Sequence, residues 1–167
     1  LLLKPDYAEA YSNMGNILKD QGKFDEAMEA HKKSISLMPN YAKAYLNIGN
    51  VLSDQGILDQ AIFFYNRALS IRPDYAEACN NIGLVLKDLG KLEEAVNALK
   101  KALSLKPDYA EAYNNLGNAF KDLGQLEKGI VAYKKALSIK PDYEIASAQK
   151  LHQLARICHW DDIKEDD

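Results

Sequence analysis

Cysteine is scarce in this 167-residue chain, which contains only Cys79 and Cys158. Two cysteines without a recognisable pattern cannot form the set of disulfides that holds small secreted domains together. We therefore expect both residues to be free thiols, which agrees with a reducing compartment.

A long apolar run is also missing. No stretch of eighteen or more apolar residues occurs, and the opening Leu1–Leu3 is followed at once by Lys4 and Pro5. Neither a membrane span nor a secretory signal peptide is predicted. We therefore expect a soluble, cytoplasmic protein.

An excess of positive charge is missing as well. The formal net charge is -3 at pH 7, and Lys and Arg do not cluster in any one segment. Proteins that bind nucleic acid or anionic lipid carry a basic patch or stripe. Nucleic acid and membranes are therefore not expected as partners.

The chain lacks the motifs of familiar active sites. It has no glycine-rich phosphate loop after a strand and no nucleophile elbow. His152, Cys158 and His159 are conceivable metal ligands, but their spacing matches no known zinc motif and no second cluster accompanies them. We predict no catalytic residue, no metal and no cofactor, so this chain is not expected to be an enzyme by itself.

Proline, in contrast, is placed with strict regularity. Successive prolines are 34 residues apart, at Pro5, Pro39, Pro73, Pro107 and Pro141. A fixed period of this length is typical of repeat proteins. It predicts four complete units at 8–41, 42–75, 76–109 and 110–143, with 1–7 as the end of a truncated preceding repeat. Residues 144–167 are predicted to form a C-terminal capping helix and tail.

Each unit has the pattern of two helices and a turn. Apolar residues recur at helical spacing, as at Tyr11, Met14 and Leu18, and a second such run follows a glycine that can end the first helix. The Pro-Asp-Tyr or Pro-Asn-Tyr segment supplies a proline that stops the second helix and an Asp or Asn able to cap the next one. We call these helices A and B, and the helix-ending glycines are Gly22, Gly56, Gly90 and Gly124.

A second glycine lies in the middle of every A helix, where it costs about 0.5–1 kcal/mol relative to alanine. These residues are Gly15, Gly49, Gly83 and Gly117, and small residues also recur on the B helices at Ala27, Ala61, Ala95 and Gly129. We expect close approach of the two helices to offset this cost. His31 takes a position that tyrosine or leucine fills in the other units, so we expect it to be a packing residue.

The unit resembles the tetratricopeptide repeat (TPR) in the residue types at Tyr11, Met14, Gly15, Leu18, Ala27 and Pro39, which recur at Tyr113, Leu116, Gly117, Phe120 and Pro141. The resemblance covers about four fifths of the chain. It implies an all-α fold in which antiparallel helix hairpins stack into a right-handed superhelix. In such solenoids the A helices line a concave groove that binds other proteins.

Asparagine recurs at one position of every A helix, at Asn13, Asn47, Asn81 and Asn115. We call this series the asparagine ladder. Asparagine is a poor helix former, so helix stability does not explain the choice. Its amide can bond both the C=O and the N–H of an extended backbone. The ladder therefore predicts binding of an extended peptide or protein segment, although surface tolerance and links between repeats are alternative explanations.

Two more polar series lie three and seven residues after the ladder. The first is Asn16, Asn50 and Asn118, interrupted by Leu84, and the second is Asp20, Asp54, Asp88 and Asp122. Glu9, Glu77 and Glu111 add negative charge, with Lys43 as the exception. We predict that the ladder and these two series form the peptide-binding surface, and that the ligand is neutral to basic.

One version of the family clamps a terminal carboxylate with Lys and Arg. Asn16 and Asn47 match two positions of that clamp, but Ser12, Glu77 and Asn81 stand where its cations are needed. A terminal carboxylate is therefore not the expected ligand.

The ends of the chain suggest a fragment of a longer protein. Leu1–Lys4 matches the end of a B helix. The asparagine ladder followed by residues 149–163, QKLHQLARICHWDDI, is similar to bacterial relatives of the O-linked N-acetylglucosamine transferases, including the SPINDLY type. The second resemblance implies a substrate-presenting arm for a glycosyltransferase domain outside this chain. Trp160 is expected to pack under the capping helix. Self-association through the N-terminal apolar edge or the convex face is a third alternative.

Overall fold

The computed structural model describes the backbone of residues 5–164 and the side chains of residues 7–157. Within that range every regular element is an α-helix, which confirms the all-α prediction. The helices are α1 (Pro5–Asp20), α2 (Phe24–Leu37), α3 (Ala42–Asp54), α4 (Leu58–Ile71), α5 (Ala76–Asp88), α6 (Leu92–Leu105), α7 (Ala110–Asp122), α8 (Leu126–Ile139) and α9 (Glu144–Lys164). Each predicted 34-residue repeat thus contains one A helix and one B helix.

The chain divides into two compact units, Leu1–Val85 and Leu86–Asp167, with the boundary inside α5. In the first unit the largest fully buried side chains are Leu46, Ile48 and Tyr65, and Ser34 Oγ donates to Ala8 O over 2.7 Å between helices α2 and α1. In the second unit Leu99 and Tyr133 are buried to the same degree. The apolar face of each hairpin therefore forms the core of its unit.

The A helices end at the predicted glycines. Gly22, Gly56, Gly90 and Gly124 have φ between 72° and 75°, which L side chains rarely adopt. At the first of them, Gly22 N–H donates to Lys19 O and Lys23 N–H donates to Leu18 O. This pair of bonds satisfies two carbonyls that the helix end would otherwise leave without partners.

In the first, second and fourth repeats, the glycine inside the A helix makes room for a ring from helix B. A Cβ atom at Gly15 would lie 2.5 Å from His31 Cε1, and one at Gly49 or Gly117 would collide with the ring of Tyr65 or Tyr133. The expected close approach of the A and B helices is confirmed at Gly129, where an added Cβ atom would lie 3.2 Å from Gly117 O. His31 is fully buried, as predicted for a packing residue. Packing of these rings therefore compensates for the low helix propensity of glycine.

The capping prediction is wrong for α3 and α7. Their N-cap residues are Tyr41 and Tyr109, and neither helix start has a side-chain capping bond. Asn40 and Asp108 precede the N-cap by one residue, so their side chains do not bond the first N–H groups of the helix in the way that an N-cap side chain does. Backbone bonds are present instead, from Ala44 N–H to Tyr41 O and from Tyr113 N–H to Tyr109 O.

The predicted capping segment forms helix α9, which packs against α8. Ala146 and Gln153 are its fully buried residues among those with described side chains. Leu1–Lys4 and the side chain of Trp160 lie outside the described residues, so those two expectations stay predictions. Among the helices of the described range, none is both long and apolar enough to cross a membrane.

Candidate functional site

The four residues of the asparagine ladder do not share one environment. Asn13 is exposed, Asn81 and Asn115 are half-buried, and Asn47 is buried at 5% relative exposure. All four were predicted to belong to the peptide-binding surface, and the burial of Asn47 departs from this expectation. Its Nδ2 donates to Ser12 Oγ over 3.0 Å, so its side chain links helix α3 to helix α1.

Asn50 is the centre of a hydrogen-bond network in the first unit. Its Oδ1 accepts from Tyr65 OH over 3.0 Å and from Asn81 Nδ2 over 2.9 Å. Asn81 Oδ1 in turn accepts from Asn80 Nδ2 over 3.2 Å. An amide oxygen has two lone pairs, so these two donors satisfy Asn50 Oδ1 and fix the orientation of its amide. The amino group of Asn50 is then held in one direction.

The second unit contains the same tyrosine–asparagine pair. Tyr133 OH donates to Asn118 Oδ1 over 2.9 Å. Burial raises the pKa of Tyr65 and of Tyr133 to about 12. Both phenols therefore keep their proton at neutral pH and act as donors to the asparagine.

A polar pocket of about 270 Å³ surrounds the network in the first unit. The A helices α1, α3 and α5 and the B helix α4 contribute to it, and it is lined by Lys19, Asn50, Ser53, Asp54, Tyr65, Asn81 and Leu84. The pocket thus unites one residue of the ladder with members of both other predicted series. It offers amide, hydroxyl, ammonium and carboxylate groups to a ligand.

The predicted aspartates have lysine neighbours that balance their charge. Lys19 Nζ lies 3.1 Å from Asp54 Oδ2 and 3.3 Å from Asp20 Oδ1, while Lys87 Nζ lies 2.8 Å from Asp88 Oδ1. Lys121 Nζ and Asp122 Oδ1 are 3.8 Å apart. The surface around the aspartates is therefore less acidic than the sequence pattern suggested.

Lys19 connects two consecutive A helices, because its partners belong to α1 and α3. Burial alone would lower its pKa, but its hydrogen bonds and ion pairs with Asp54 and Asp20 together raise the pKa above its ordinary value. Lys19 is therefore charged at neutral pH and positions the carboxylate of Asp54.

A second polar pocket, of about 480 Å³, lies on α7 and α9 in the second unit. It is lined by Lys121, Asp122, Ala148, Gln149, His152 and Arg156. Gln149 falls 34 residues after Asn115 and thus takes the ladder position on α9. Arg156 stands where the other A helices have aspartate, so this pocket has more positive charge than the first.

Sequence reasoning missed the residues that support the ladder. Ser12 and Asn80 precede a ladder asparagine and are buried, and Lys19, Ser53 and Tyr65 line the polar pocket. The recurrence of lysine directly before the aspartate at Lys19, Lys87 and Lys121 was a signal available in the sequence. The bonds that join neighbouring repeats depend on how the helices pack, so the pattern alone did not show them.

No group of three or more His, Cys, Asp or Glu side chains that could hold a metal ion occurs among the described residues. The side chains of Cys158 and His159 are outside that set, so the expectation for them is not tested. Cys79 is buried and forms no disulfide within the part of the chain that the structure describes.

Two protein-family profiles match most of the chain. A profile described as "TPR repeat" matches residues 15–56 and 83–124, and one described as "Tetratricopeptide repeat" matches residues 42–75 and 110–143. None of the curated protein sequences matches the chain.

Solved structures resemble it over most of its length. A crystal structure of MamA protein is 29% identical, with a TM-score of 0.74, and the match covers 90% of this chain and 82% of MamA. PilF of Pseudomonas aeruginosa is 20% identical, with a TM-score of 0.86 and coverage of 93% of this chain and 71% of PilF. The first TPR of Spaghetti (RPAP3), bound to an HSP90 peptide, is 24% identical, with a TM-score of 0.68 and coverage of 70% and 93%. From the repeat pattern, the helix hairpins and the matching profiles, we conclude that this chain belongs to the tetratricopeptide repeat family.

Proposed function

We propose that the polar surface of the A helices binds an extended segment of a partner protein, so that the chain acts as a protein-interaction scaffold. The observation that carries this proposal is the network at Asn50, which fixes two amide groups at the polar pocket of the first unit. Groups that are held in place before binding lose little entropy when a ligand arrives.

The amide donors and the acceptor that the network leaves unused suit a peptide backbone. Asn50 Oδ1 is already satisfied by two donors, which leaves its amino group for a ligand carbonyl. Asn81 uses one N–H and one lone pair within the chain and retains one of each. A donor and an acceptor side by side match the C=O and N–H of an extended chain without selecting its side chains.

The charges suggest a ligand that is neutral to basic in the first unit. The lysine partners reduce the negative charge of the aspartates, but Glu9 and Glu77 are exposed and form no ion pair within the described range. Exposed charges of this kind are screened by salt. Binding of a basic segment should therefore weaken as ionic strength rises.

Structural relatives support a peptide as the ligand class. The RPAP3 repeat was solved with the HSP90 peptide SRMEEVD, and its likeness to this chain shows that the fold can hold a short peptide. The peptide in that structure is acidic, whereas Ser12, Glu77 and Asn81 stand where a carboxylate clamp needs cations. We therefore propose that the polar surface of the A helices binds a segment of different charge.

The alternative role as the substrate-presenting arm of a glycosyltransferase is supported by the asparagine ladder and by the similarity of residues 149–163. Within that segment the structure adds Gln149, His152 and Arg156 as lining of the second polar pocket. This arrangement suits binding of a protein substrate but identifies no sugar-nucleotide site. Self-association is a further alternative, since Tyr7, Met14 and Ile17 expose apolar side chains on α1.

The test compares single variants in binding to an array of short peptides that differ in charge. Asn81→Ala should weaken binding about tenfold or more, because it removes a donor and an acceptor from the pocket. Asn97→Ala is the matched control, since Asn97 is exposed on the B helix α6. Equal binding by both variants, with unchanged circular dichroism and melting temperature, would refute the proposal.

A further inference from the structure

We propose that an apolar pocket on the hairpin of α7 and α8 binds an acidic segment of a partner protein that inserts one large apolar side chain. The pocket has a volume of about 490 Å³. It is lined by Tyr113, Leu116, Phe120, Glu127, Lys128, Val131, Ala132 and Lys135. Its apolar side chains line the pocket next to charged ones, as at the centre and rim of a protein interface.

The pocket is separate from the polar surface proposed above. Tyr113, Leu116 and Phe120 follow one another at intervals of three and four residues, so they lie along one side of α7. Asn115, Asn118 and Asp122 have the same spacing but line a neighbouring side of the helix, and none of them lines the apolar pocket. This proposal therefore does not depend on the peptide-binding role of the asparagine ladder.

Val131 shows that the described part of the chain leaves this surface uncovered. Its side chain is 66% exposed although it is valine. A single exposed valine is ordinary on a protein surface, but here it borders an apolar pocket that also contains Phe120 and Leu116. Pockets of a few hundred Å³ with apolar walls are typical of ligand sites. The volume is sufficient for one leucine, phenylalanine or tryptophan side chain.

At the position of Ala132 the first and third repeats also have alanine, at Ala30 and Ala98, and the second repeat differs. The second repeat carries Phe64 at the position of Ala132 and Phe63 at the position of Val131. The rings of Phe63 and Phe64 pack edge to face with centroids 5.4 Å apart, and Phe64 is half-buried. Alanine at position 132 leaves the fourth repeat without such a ring. A phenylalanine there should fill the pocket and keep the fold.

The charge around the pocket identifies the kind of segment that fits. Lys128 Nζ lies 5.8 Å and Lys100 Nζ 6.0 Å from the centroid of the Phe120 ring, and Lys135 also lines the pocket. Glu127 is the single carboxylate of the lining. Two ammonium groups against one carboxylate in the lining, with Lys100 close to the Phe120 ring, favour a ligand with Asp or Glu on both sides of its apolar residue.

The experiment uses short fluorescent peptides and the whole chain. The main probe has a central tryptophan flanked by Glu and Asp. One control peptide has serine in place of the tryptophan, and a second has Lys in place of each acidic residue. Fluorescence polarisation measures affinity, and ¹⁵N–¹H NMR shows which backbone amides of the chain respond. We expect the acidic tryptophan peptide to bind about tenfold or more tightly than either control.

Three variants test the pocket itself. Ala132→Phe should weaken binding about tenfold by filling the space, and Lys128→Glu combined with Lys135→Glu should weaken it at least as much by reversing the rim charge. Val131→Asn copies Asn97 of the third repeat and should give a smaller loss. Lys134→Glu is the matched control, because Lys134 is an exposed lysine of α8 that does not line the pocket. It should change affinity less than twofold.

Several outcomes would overturn the proposal. They are absence of binding by the acidic tryptophan peptide, equal binding of the serine peptide, unchanged binding by a folded Ala132→Phe variant, or NMR shifts confined to residues outside the pocket. A dimer in sedimentation that is lost on Ala132→Phe would also overturn it, since the occupant would then be a second copy of this chain.

Discussion

The hydroxyl of Tyr65 donates a hydrogen bond to Asn50 Oδ1 over 3.0 Å, and thereby connects the core of the first unit to its polar pocket. The ring is almost fully buried, and its far end reaches the amide that also bonds Asn81. Tyr133 and Asn118 repeat this relationship in the second unit over 2.9 Å. In the third repeat both positions are leucine, at Leu84 and Leu99, so the polar partners are absent together.

Removal of the tyrosine hydroxyl from either pair should therefore destabilise the chain. Tyr65→Phe deletes one donor to Asn50 and is expected to lower the free energy of unfolding by about 1 kcal/mol, as is Tyr133→Phe for Asn118. Urea titrations followed by circular dichroism measure this. Tyr45→Phe is the control, because Tyr45 OH forms an exposed bond to Pro39 O and should contribute less. An equal loss in all three variants would contradict a special role for the buried pair.

A side chain at Gly49 should conflict with the ring of Tyr65. Alanine normally stabilises a helix interior by about 1 kcal/mol relative to glycine. Here its Cβ would collide with the Tyr65 ring, so we expect Gly49→Ala to cost about 1–3 kcal/mol net. Thermal melting measures the loss.

The double variant Gly49→Ala with Tyr65→Leu separates collision from other effects. Leucine is the natural residue at the ring position in the third repeat, as Leu99. If the collision is the cause, alanine at position 49 should cost less in the Tyr65→Leu background than in the native chain. Identical costs in both backgrounds would show that the ring is not responsible.

The free energy of unfolding should decrease as the pH is lowered, because of His31. Burial, with the charge of Lys19 as a smaller cause, lowers its pKa from 6.5 to about 4. Between these values the unfolded chain binds a proton that the folded chain does not, so the free energy of unfolding should decrease as pH falls from 6.5 to 4. The decrease from this residue reaches at most about 3 kcal/mol and then stops.

His31→Tyr provides the matched comparison, because Tyr65 and Tyr133 occupy this position in the second and fourth repeats. Its stability should lack the His31 contribution between pH 6.5 and 4, as measured by urea unfolding at several pH values. A His31→Tyr variant with the same pH profile as the native chain would rule out this origin.

Gln153 should be replaceable with a gain in stability. It is fully buried on α9, and its Oε1 and Nε2 form no hydrogen bond with the described residues. Unpaired buried amide atoms are destabilising, and the same position of the repeat holds Val51, Val85 and Ala119. Gln153→Val is expected to raise the free energy of unfolding by about 1–2 kcal/mol in a denaturant titration. A loss of stability would instead indicate that this amide has a structural partner.

The sequence alone was sufficient for the repeat, the helices and the glycine helix ends. These features follow from local rules, because helical periodicity, proline and glycine act within a few neighbouring residues. The same rules failed at the start of α3 and α7, where Asn40 and Asp108 were expected to cap a helix. The cap depends on which residue is the first helical one, and a shift of one position removes the bond.

The candidate site was predicted only in part. The positions of Asn50, Asn81 and Asp54 in one polar pocket agree with their spacing along the repeats. Nothing in the sequence indicated that Asn13 is exposed while Asn47, at the same repeat position, is buried against Ser12.

The sequence by itself determined that this protein is a stack of helix hairpins with asparagine at one position of every A helix, since its period and residue types need no distant contact to be recognised. Only the tertiary structure decided which equivalent residues are buried, which lysine pairs with which aspartate, and that Ala132 leaves a pocket open where Phe64 stands in another repeat. The physical reason is that these properties arise from packing between residues far apart in the chain. Equivalent positions of similar repeats therefore acquire different environments.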